Sequence, residues 1–518
     1  MLRSSGAVGA ATLISRVLGF VRESVYAAFM GDGRVASAFF MALTVPNLFR
    51  RLLGEGALTA AFVPVFKERE AGGDAAAVWR AAGAVFWAMV VVCAGVVVAG
   101  MAGLWLVVRW VPLRLEHELP ARLLLAMFPY LGFVCVAALF IGVLNARNHF
   151  FLPALGAALL NVVMIASVYL LAPRFGATRE QQVFGLAVGL VLAGLVQAVF
   201  QWPALRREGF RLRWVNPWRD PTVREVARRM APATLGVAAY QFNVVFTQAL
   251  AYSATPEAVA SFNYAVRLME LPQGVVGVSL ATYLLSELSR LAVDKDYPAF
   301  RRVLGEGLQQ LVFLNGLAAA LLFVLAEPII RLLFERGSFG PAATLRATSA
   351  LMALAPGLVL FSMNNVLARA FYALGDTHTP MRISVFCLGV NALFALFLIP
   401  GNGQAGMGLA NTLSAAFNTG LLLYALRRKL PKFDVRTLAP GAGQALGGAL
   451  LAGGLAWAVH RGCEQAWGHG QLPARLAGVF GPMLVAGLAY FGAGLGLGNA
   501  QARELAGMLR RRRRPAGR

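Results

Sequence analysis

Charge is what this sequence has least of. Only 14% of its 518 residues are Asp, Glu, Lys or Arg, while 58% are apolar. Soluble domains carry about 25% charged and roughly 45–50% apolar residues, so a chain of this composition cannot cover itself with a solvated surface. Acid is scarcer than base: 24 Asp and Glu stand against 47 Lys and Arg, a formal charge of +23. Cysteine is nearly absent. Cys93, Cys135, Cys387 and Cys463 are widely separated in sequence, without a CxxC or Cys/His cluster, which argues against a disulfide framework and a structural zinc site. The five histidines lie mostly at loops or helix ends, and no GxxxxGK[ST] phosphate loop occurs. No nucleophile–base pair stands out, so the expectation is a protein that is not an enzyme and has no bound cofactor.

Long apolar runs are what the chain has instead. A span takes about 20 mostly apolar residues, and that criterion predicts helices near 6–31, 35–65, 81–108, 121–145, 153–173 and 183–205. After a basic, Trp-containing break the series resumes near 224–253, 257–289, 303–330, 342–368, 380–399, 405–426, 439–460 and 473–497. The expected fold is an all-α polytopic membrane protein with 14 transmembrane helices, and the N-terminal stretch reads as its first helix, not a removable signal. With both termini cytoplasmic, 31 of the 47 Lys and Arg fall in or beside cytoplasmic segments, 11 in or beside opposite ones, and five inside spans. That bias is the positive-inside rule, which explains the basic charge without nucleic acid.

The chain also repeats itself. Pro129 and Pro153 are echoed six helices later by Pro356 and Pro380. Each pair brackets a short polar turn, Asn145–His149 in one case and Leu374–His378 in the other, before a proline-started helix. More loosely, Val35-Ala36-Ser37 before Pro46 matches Val259-Ala260-Ser261 before Pro272. The expected organisation is an N-terminal lobe 1–205, a basic cytoplasmic linker 206–223, a C-terminal lobe 224–428, a two-helix appendage 429–500 and a basic tail 501–518. Six helices per lobe give both the same orientation, related by a pseudo-two-fold along the membrane normal.

Ionisable residues inside spans cost about 2.5–3.5 kcal/mol each and therefore face a cavity or a partner. The first helix carries Arg16 and Arg22, the second Arg50, Arg51 and Glu55, and the eighth Arg267 and Glu270. Arg16 and Arg22, six residues apart, lie roughly 240° apart around an ideal helix. They cannot share a narrow stripe unless a kink near Gly19 intervenes. Arg267 and Glu270 are spaced to pair on one face, so a structural ion pair stands beside a functional reading there. For Arg22 and Arg51 the alternative is snorkelling to the interface. Arginine in excess over acid points to an anionic, phosphate-bearing ligand, because the guanidinium is a planar fork that stays charged.

These segments, Ser15–Glu23, Pro46–Gly56 with Phe62-Val63-Pro64, Leu144–Pro153 with Asn161, Arg267–Gly274 and Phe371–Pro380, resemble the MurJ (MviN) family of lipid II flippases, within the superfamily of multidrug, oligosaccharide-lipid and polysaccharide exporters. The resemblance extends over about residues 4–430. It implies a two-lobed fold that moves lipid-linked peptidoglycan precursor from the inner to the outer leaflet of the cytoplasmic membrane by alternating access. It also implies a substrate site comprising Arg16, Arg22, Arg50 and Arg267 with Glu270, and Ser15, Asn47 and Glu55 in the same motifs. Helices thirteen and fourteen would offer a groove for the undecaprenyl tail. One departure is Ser37, where family members often carry an acid before Ala-Phe-Phe.

Two alternatives stay open: an exporter of another polyprenyl-diphosphate glycan or of drugs, and a non-transporting scaffold acting through Arg510–Arg514. That run reads first as a topology anchor on anionic lipid, like the basic loops. Membrane potential or a monovalent cation is the candidate energy source, with Asn243 and Asn391 as weak candidates for an ion site and interhelical hydrogen bonding as their commoner role.

Overall fold

The computed structural model of the chain describes residues 2–54, 57–110, 115–431, 433 and 439–513. Nineteen α-helices occur among them, and no strand. The chain divides into two compact units, Met1–Ala249 and Leu250–Arg518. The first contains α1 (Leu2–Met30), α2 (Arg34–Phe49), α3 (Ala57–Ala71), α4 (Ala75–Trp110), α5 (Leu115–Met127), α6 (Tyr130–Ala146), α7 (Phe151–Leu170) and α8 (Arg179–Arg207), and most of α9 (Pro221–Ala254). The second contains α10 (Ala258–Pro272), α11 (Ser279–Val293), α12 (Tyr297–Val324), α13 (Ala326–Phe334), α14 (Pro341–Leu354), α15 (Gly357–Ala373), α16 (His378–Lys429), α17 (Ala439–Trp467), α18 (Leu472–Gly496) and α19 (Ala500–Arg513).

Each of the fourteen expected segments falls on a helix or on helical pieces in series. Among the described residues eight helices are long and apolar enough to cross a membrane, or ten when each of two bent pairs counts as one span. The 52-residue α16 contains two of the expected spans, because it folds back on itself. Ser414 Oγ donates to the Cys387 carbonyl at 3.0 Å, whereas 27 residues of straight helix would separate them by about 40 Å. The reversal is at Gly403, whose φ of +51° is left-handed, and a side chain on Gly406 would stand 2.3 Å from the Leu398 carbonyl oxygen. Outward faces are bare apolar surface: Val98, Trp105 and Trp110 on α4, and Phe480, Leu484 and Leu488 on α18 are all exposed. Only lipid can cover them, and the protein is an all-α, multi-pass membrane protein.

The internal repeat is built into the backbone. Pro129 caps α6 at a 45° bend after α5, and Pro356 caps α15 at a 44° bend after α14. The following turns superpose in register, each pair 227 residues apart (129 to 356, 148 to 375, 153 to 380). Asn148 (φ +62°) and Gly375 (φ +75°) occupy the left-handed position. The His149 N–H donates to Leu144 O at 2.8 Å and the Asp376 N–H to Phe371 O at 2.9 Å, the same helix-ending closure. Pro153 and Pro380 are the third residues of α7 and α16. A π-helical turn follows each proline of the looser match, Arg50–Gly54 after Pro46 and Gln273–Val278 after Pro272, at different offsets. Proline removes a backbone donor, and a wide turn absorbs the register error that results.

Packing in the second unit follows helical spacing, with Leu284, Leu288 and Leu291 of α11 against Phe300, Leu304 and Leu308 of α12. In the first unit an aromatic cluster of Trp79, Phe86, Phe140, Trp202 and Phe210 joins α4, α6 and α8 to the segment after α8. Two of the cysteines, distant in sequence, meet in space: Cys93 of α4 and Cys135 of α6 are buried within hydrogen-bond reach of each other.

Candidate functional site

The first helix brings its two arginines into different surroundings. Helix α1 is one helix through Gly19, and these two arginines stand in different environments, Arg16 exposed and Arg22 half-buried. Arg16 is exposed, with no ion-pair partner among the described residues. Arg22 turns toward α7 and is held there. Its Nη1 donates to Asn161 Oδ1 at 2.9 Å, its Nη2 reaches Glu23 Oε1 at 2.5 Å, and the guanidinium carbon stands 5.7 Å from the Tyr26 ring centroid. Asn161 closes the arrangement by donating Nδ2 to the Ser15 carbonyl at 3.1 Å. Glu23 is only 3% exposed against 19% for Arg22; a carboxylate so enclosed requires its cation. Arg22 is thus a shared, oriented cation and not a snorkelling one.

In the second segment Asn47 and Arg50 are half-buried around the end of α2, where the Arg50 N–H contacts the carbonyls of Asn47 and Pro46 as the helix widens. Arg51 is exposed. Glu55 lies outside the described residues. Beside α2, a cavity of about 220 Å³ is lined by Met41, Val45, Leu104, Leu124, His117 and Gln248 among others. Thr44 Oγ1 lies 2.6 Å from Gln248 Oε1 at its edge. Its walls are mainly apolar, which suits hydrocarbon and not a diphosphate.

In the second unit Arg267 Nη1 pairs with Glu270 Oε2 at 2.8 Å, with side chains 43% and 49% exposed. The i,i+3 spacing therefore makes the ion pair it predicts. A pair this exposed contributes little to stability, roughly 0–1 kcal/mol, so both groups remain accessible to an approaching ligand. Nearby, Arg369 of α15 donates to Thr282 Oγ1 at 2.7 Å and contacts the Val278 carbonyl at 3.4 Å, at the end of the π-helical turn. Sequence reasoning missed Arg369 because it falls one residue past an expected span and counts there as a loop charge. Asn161, noted in the sequence only as part of the family resemblance, has no place in the site expected there. Asn243 offers its carbonyl to Thr247, and Asn391 is buried in α16. Among the described residues no group of three or more His, Cys, Asp or Glu is placed to hold a metal ion.

A second polar cluster lies at the turn between α6 and α7. Arg147 pairs with Glu70 at 2.7 Å, approaches Glu208 at 3.9 Å, and lies 5.2 Å from the Trp79 ring centroid. His149 Nε2 is 2.7 Å from Glu208 Oε1, and Lys67 reaches Glu70 at 2.9 Å. The Lys67 hydrogen bond and the Arg147 charge hold the Glu70 carboxyl below its ordinary range. At the matching turn of the second unit, Lys429 Nζ reaches Asp376 Oδ2 at 2.6 Å, and Asp376 accepts from the Thr379 N–H at 3.0 Å. These contacts hold the Asp376 carboxyl well below the usual carboxylate range.

Comparison with known proteins places this geometry. A family model described as lipid II flippase MurJ matches residues 26–478. A probable lipid II flippase MurJ from Vibrio cholerae is 35% identical over 507 residues, 93% of this chain and 94% of the relative. Among solved structures, a lipid II flippase MurJ in an inward closed conformation superposes with a TM-score of 0.77 at 20% identity, covering 95% of this chain and 99% of that one. An inward-facing multidrug resistance MATE transporter of the MOP superfamily gives 0.66 at 16% identity, over 81% and 96%. At these identities the structural likenesses speak to fold alone.

Proposed function

This chain belongs to the MurJ family of lipid II flippases, and we propose that it carries lipid II from the inner to the outer leaflet of the cytoplasmic membrane by alternating access, with both termini cytoplasmic. It is a transporter and not an enzyme. The observation that carries the site assignment is Arg16: a permanent cation within a mostly apolar helix, exposed, with no carboxylate paired to it among the described residues. Arg22 and Arg267 join it in taking the diphosphate, with Arg50, Ser15, Asn47, Glu55 and Glu270 around the headgroup. Glu23 and Glu270 pair with Arg22 and Arg267 and orient their guanidinium groups, whose remaining N–H donors are left to meet the diphosphate. A charge-assisted contact of this kind contributes about 1.5–3 kcal/mol.

The energy source we propose is membrane potential or a monovalent cation, with Asn243 and Asn391 as the residues to test. The basic loops and the Arg510–Arg514 tail contact anionic lipid. Arg16→Ala and Arg267→Ala are each expected to abolish growth complementation with the protein still in the membrane. Arg267→Lys is expected to complement weakly, because a point charge lacks the fork. Full complementation by both alanine variants overturns the site assignment. Truncation near residue 505 is expected to leave transport largely intact; loss of function there would favour a scaffold.

A further inference from the structure

The segment that joins α8 to α9 is neither helical nor loose. Phe210 is buried among the rings of Trp79, Phe86, Phe140 and Trp202 at 5.9–6.2 Å. Trp87 of α4 donates its indole N–H to the Arg213 carbonyl at 2.9 Å and meets the Trp214 ring edge-on at 4.8 Å. This pinned backbone presents a one-sided strip to the outside. Leu212 is 50% exposed, and Trp214 and Trp218 are 66% exposed. Arg211, Arg213 and Arg219 are exposed alongside them, as are Arg206 and Arg207 in the last turn of α8. The segment's one carboxylate before Asp220, Glu208, is already engaged by His149.

Two indoles and a leucine held in the open are unfavourable in water, and a guanidinium cluster without acid calls for an anion. The surroundings say which anion. One turn along α4 from Trp87, Val91 and Val92 are exposed and face lipid, while the Lys67–Glu70–Arg147 network lies toward the polar side. The strip therefore lies at the level where apolar helix gives way to charge. That is where tryptophan sits in membrane proteins and where phosphate headgroups begin.

We propose that residues 206–219 form a strap that binds the headgroups of anionic phospholipid, with Arg211, Arg213 and Arg219 on the phosphates and Leu212, Trp214 and Trp218 seated at the headgroup–acyl boundary. The strap anchors the end of α8 and the start of α9 to the membrane surface. This extends the general reading that basic loops contact anionic lipid, and it does not depend on the transported substrate.

Amide hydrogen exchange of residues 210–219 in the full-length protein tests it, in nanodiscs of phosphatidylcholine alone and of phosphatidylcholine with phosphatidylglycerol. Both faces of a nanodisc carry the same lipid, so the result is independent of which way the chain is inserted. Exchange is expected to slow in the anionic discs, by about fivefold for each arginine engaged, and raised salt is expected to remove the difference. The combined Arg211→Gln, Arg213→Gln and Arg219→Gln variant is expected to lose the lipid dependence at an unchanged melting temperature. Equal exchange in both lipids overturns the proposal, as does protection that appears only when an acidic soluble protein is added. The salt comparison on the unaltered protein decides the matter should the triple variant fail to fold.

Discussion

His149 and Asp376 occupy the same position in two copies of one turn, yet they face partners of opposite charge. His149 meets Glu208 at 2.7 Å, and Asp376 meets Lys429 at 2.6 Å. The backbone closure beneath them is identical in pattern, so the duplicated frame has kept its geometry while the polarity of the contact has reversed. Glu208 and Lys429 both lie at or just beyond the end of a long helix, α8 and α16 respectively. Each contact fastens that end to the turn.

Asp376→Ala is expected to lower stability by about 1–2 kcal/mol. It removes the acceptor of the Thr379 N–H, a loss of the size of a helix cap, together with a partly exposed ion pair. The transplant Asp376→His with Lys429→Glu is expected to recover the ionic part below about pH 6.5, where histidine is charged, but not the cap. Thermal unfolding in nanodiscs at two pH values measures both.

Acid should loosen these turns before it unfolds the rest. Asp376 and Glu70 both have folded-state pKa values depressed by their cationic partners. Their stabilisation is complete above the ordinary carboxylate values, about 3.9 for Asp and 4.3 for Glu. It is lost as pH falls through the lower folded-state values. The melting temperature is therefore expected to be flat with respect to these groups from pH 7 to about 5 and to fall below 4, less steeply in Asp376→Asn. A profile unchanged by that substitution would show that the Lys429 contact is not formed in the membrane.

Gly406→Val is expected to prevent the α16 hairpin from closing, since its Cβ would meet the Leu398 carbonyl carbon and oxygen within 2.7 Å. Neither atom belongs to a movable side chain. Gly403→Ala places an L side chain at φ +51°, ψ −122°, outside the left-handed helical well and in a sparsely populated region, at a cost of about 1–3 kcal/mol. The first should reduce folded protein severely and the second only modestly, as read by gel-filtration yield and protease resistance.

Asn161→Ala is expected to cost about 1.5–3 kcal/mol, because it takes a hydrogen bond from a charged, half-buried Arg22 and another from Ser15. Asn161→Asp preserves the acceptor for Arg22 but removes the donor to Ser15 and adds a second acid beside Glu23. Melting temperature together with complementation should rank the variants Asn, then Asp, then Ala in stability, with transport impaired in both substitutions. Equal transport in all three would mean that Arg22 needs no aiming from α7.

Much of this was legible in the chain. Apolar run length located the helical segments, of which eight to ten among the described residues are long and apolar enough to span a membrane, and the prolines at 129, 153, 356 and 380 marked the repeat, because proline's effect on a helix is local and independent of its neighbours. The Arg267–Glu270 pair was legible for the same reason: i,i+3 spacing on one helix settles it. What remained hidden lay between helices. Nothing in the spacing of Arg22 and Asn161, 139 residues apart, reveals their contact, nor does any local pattern bring Cys93 to Cys135. Arg369 escaped because a span boundary judged on hydropathy is uncertain by a residue or two, and one residue decided whether it counted as membrane or loop. The π-helical breaks within the second and eighth segments were not foreseen, since their form depends on how the carbonyls after Pro46 and Pro272 find donors.

The correspondence of one half with the other, residue 148 with 375 and 149 with 376, gives this protein an internal control for its own biochemistry. A substitution at one turn can be read against its counterpart in the same polypeptide, at the same expression level and in the same lipid. A defect produced by both substitutions belongs to the shared architecture; a defect produced by only one belongs to whatever that half does alone. Differences between halves thereby separate scaffold from specialised chemistry, without recourse to a second protein.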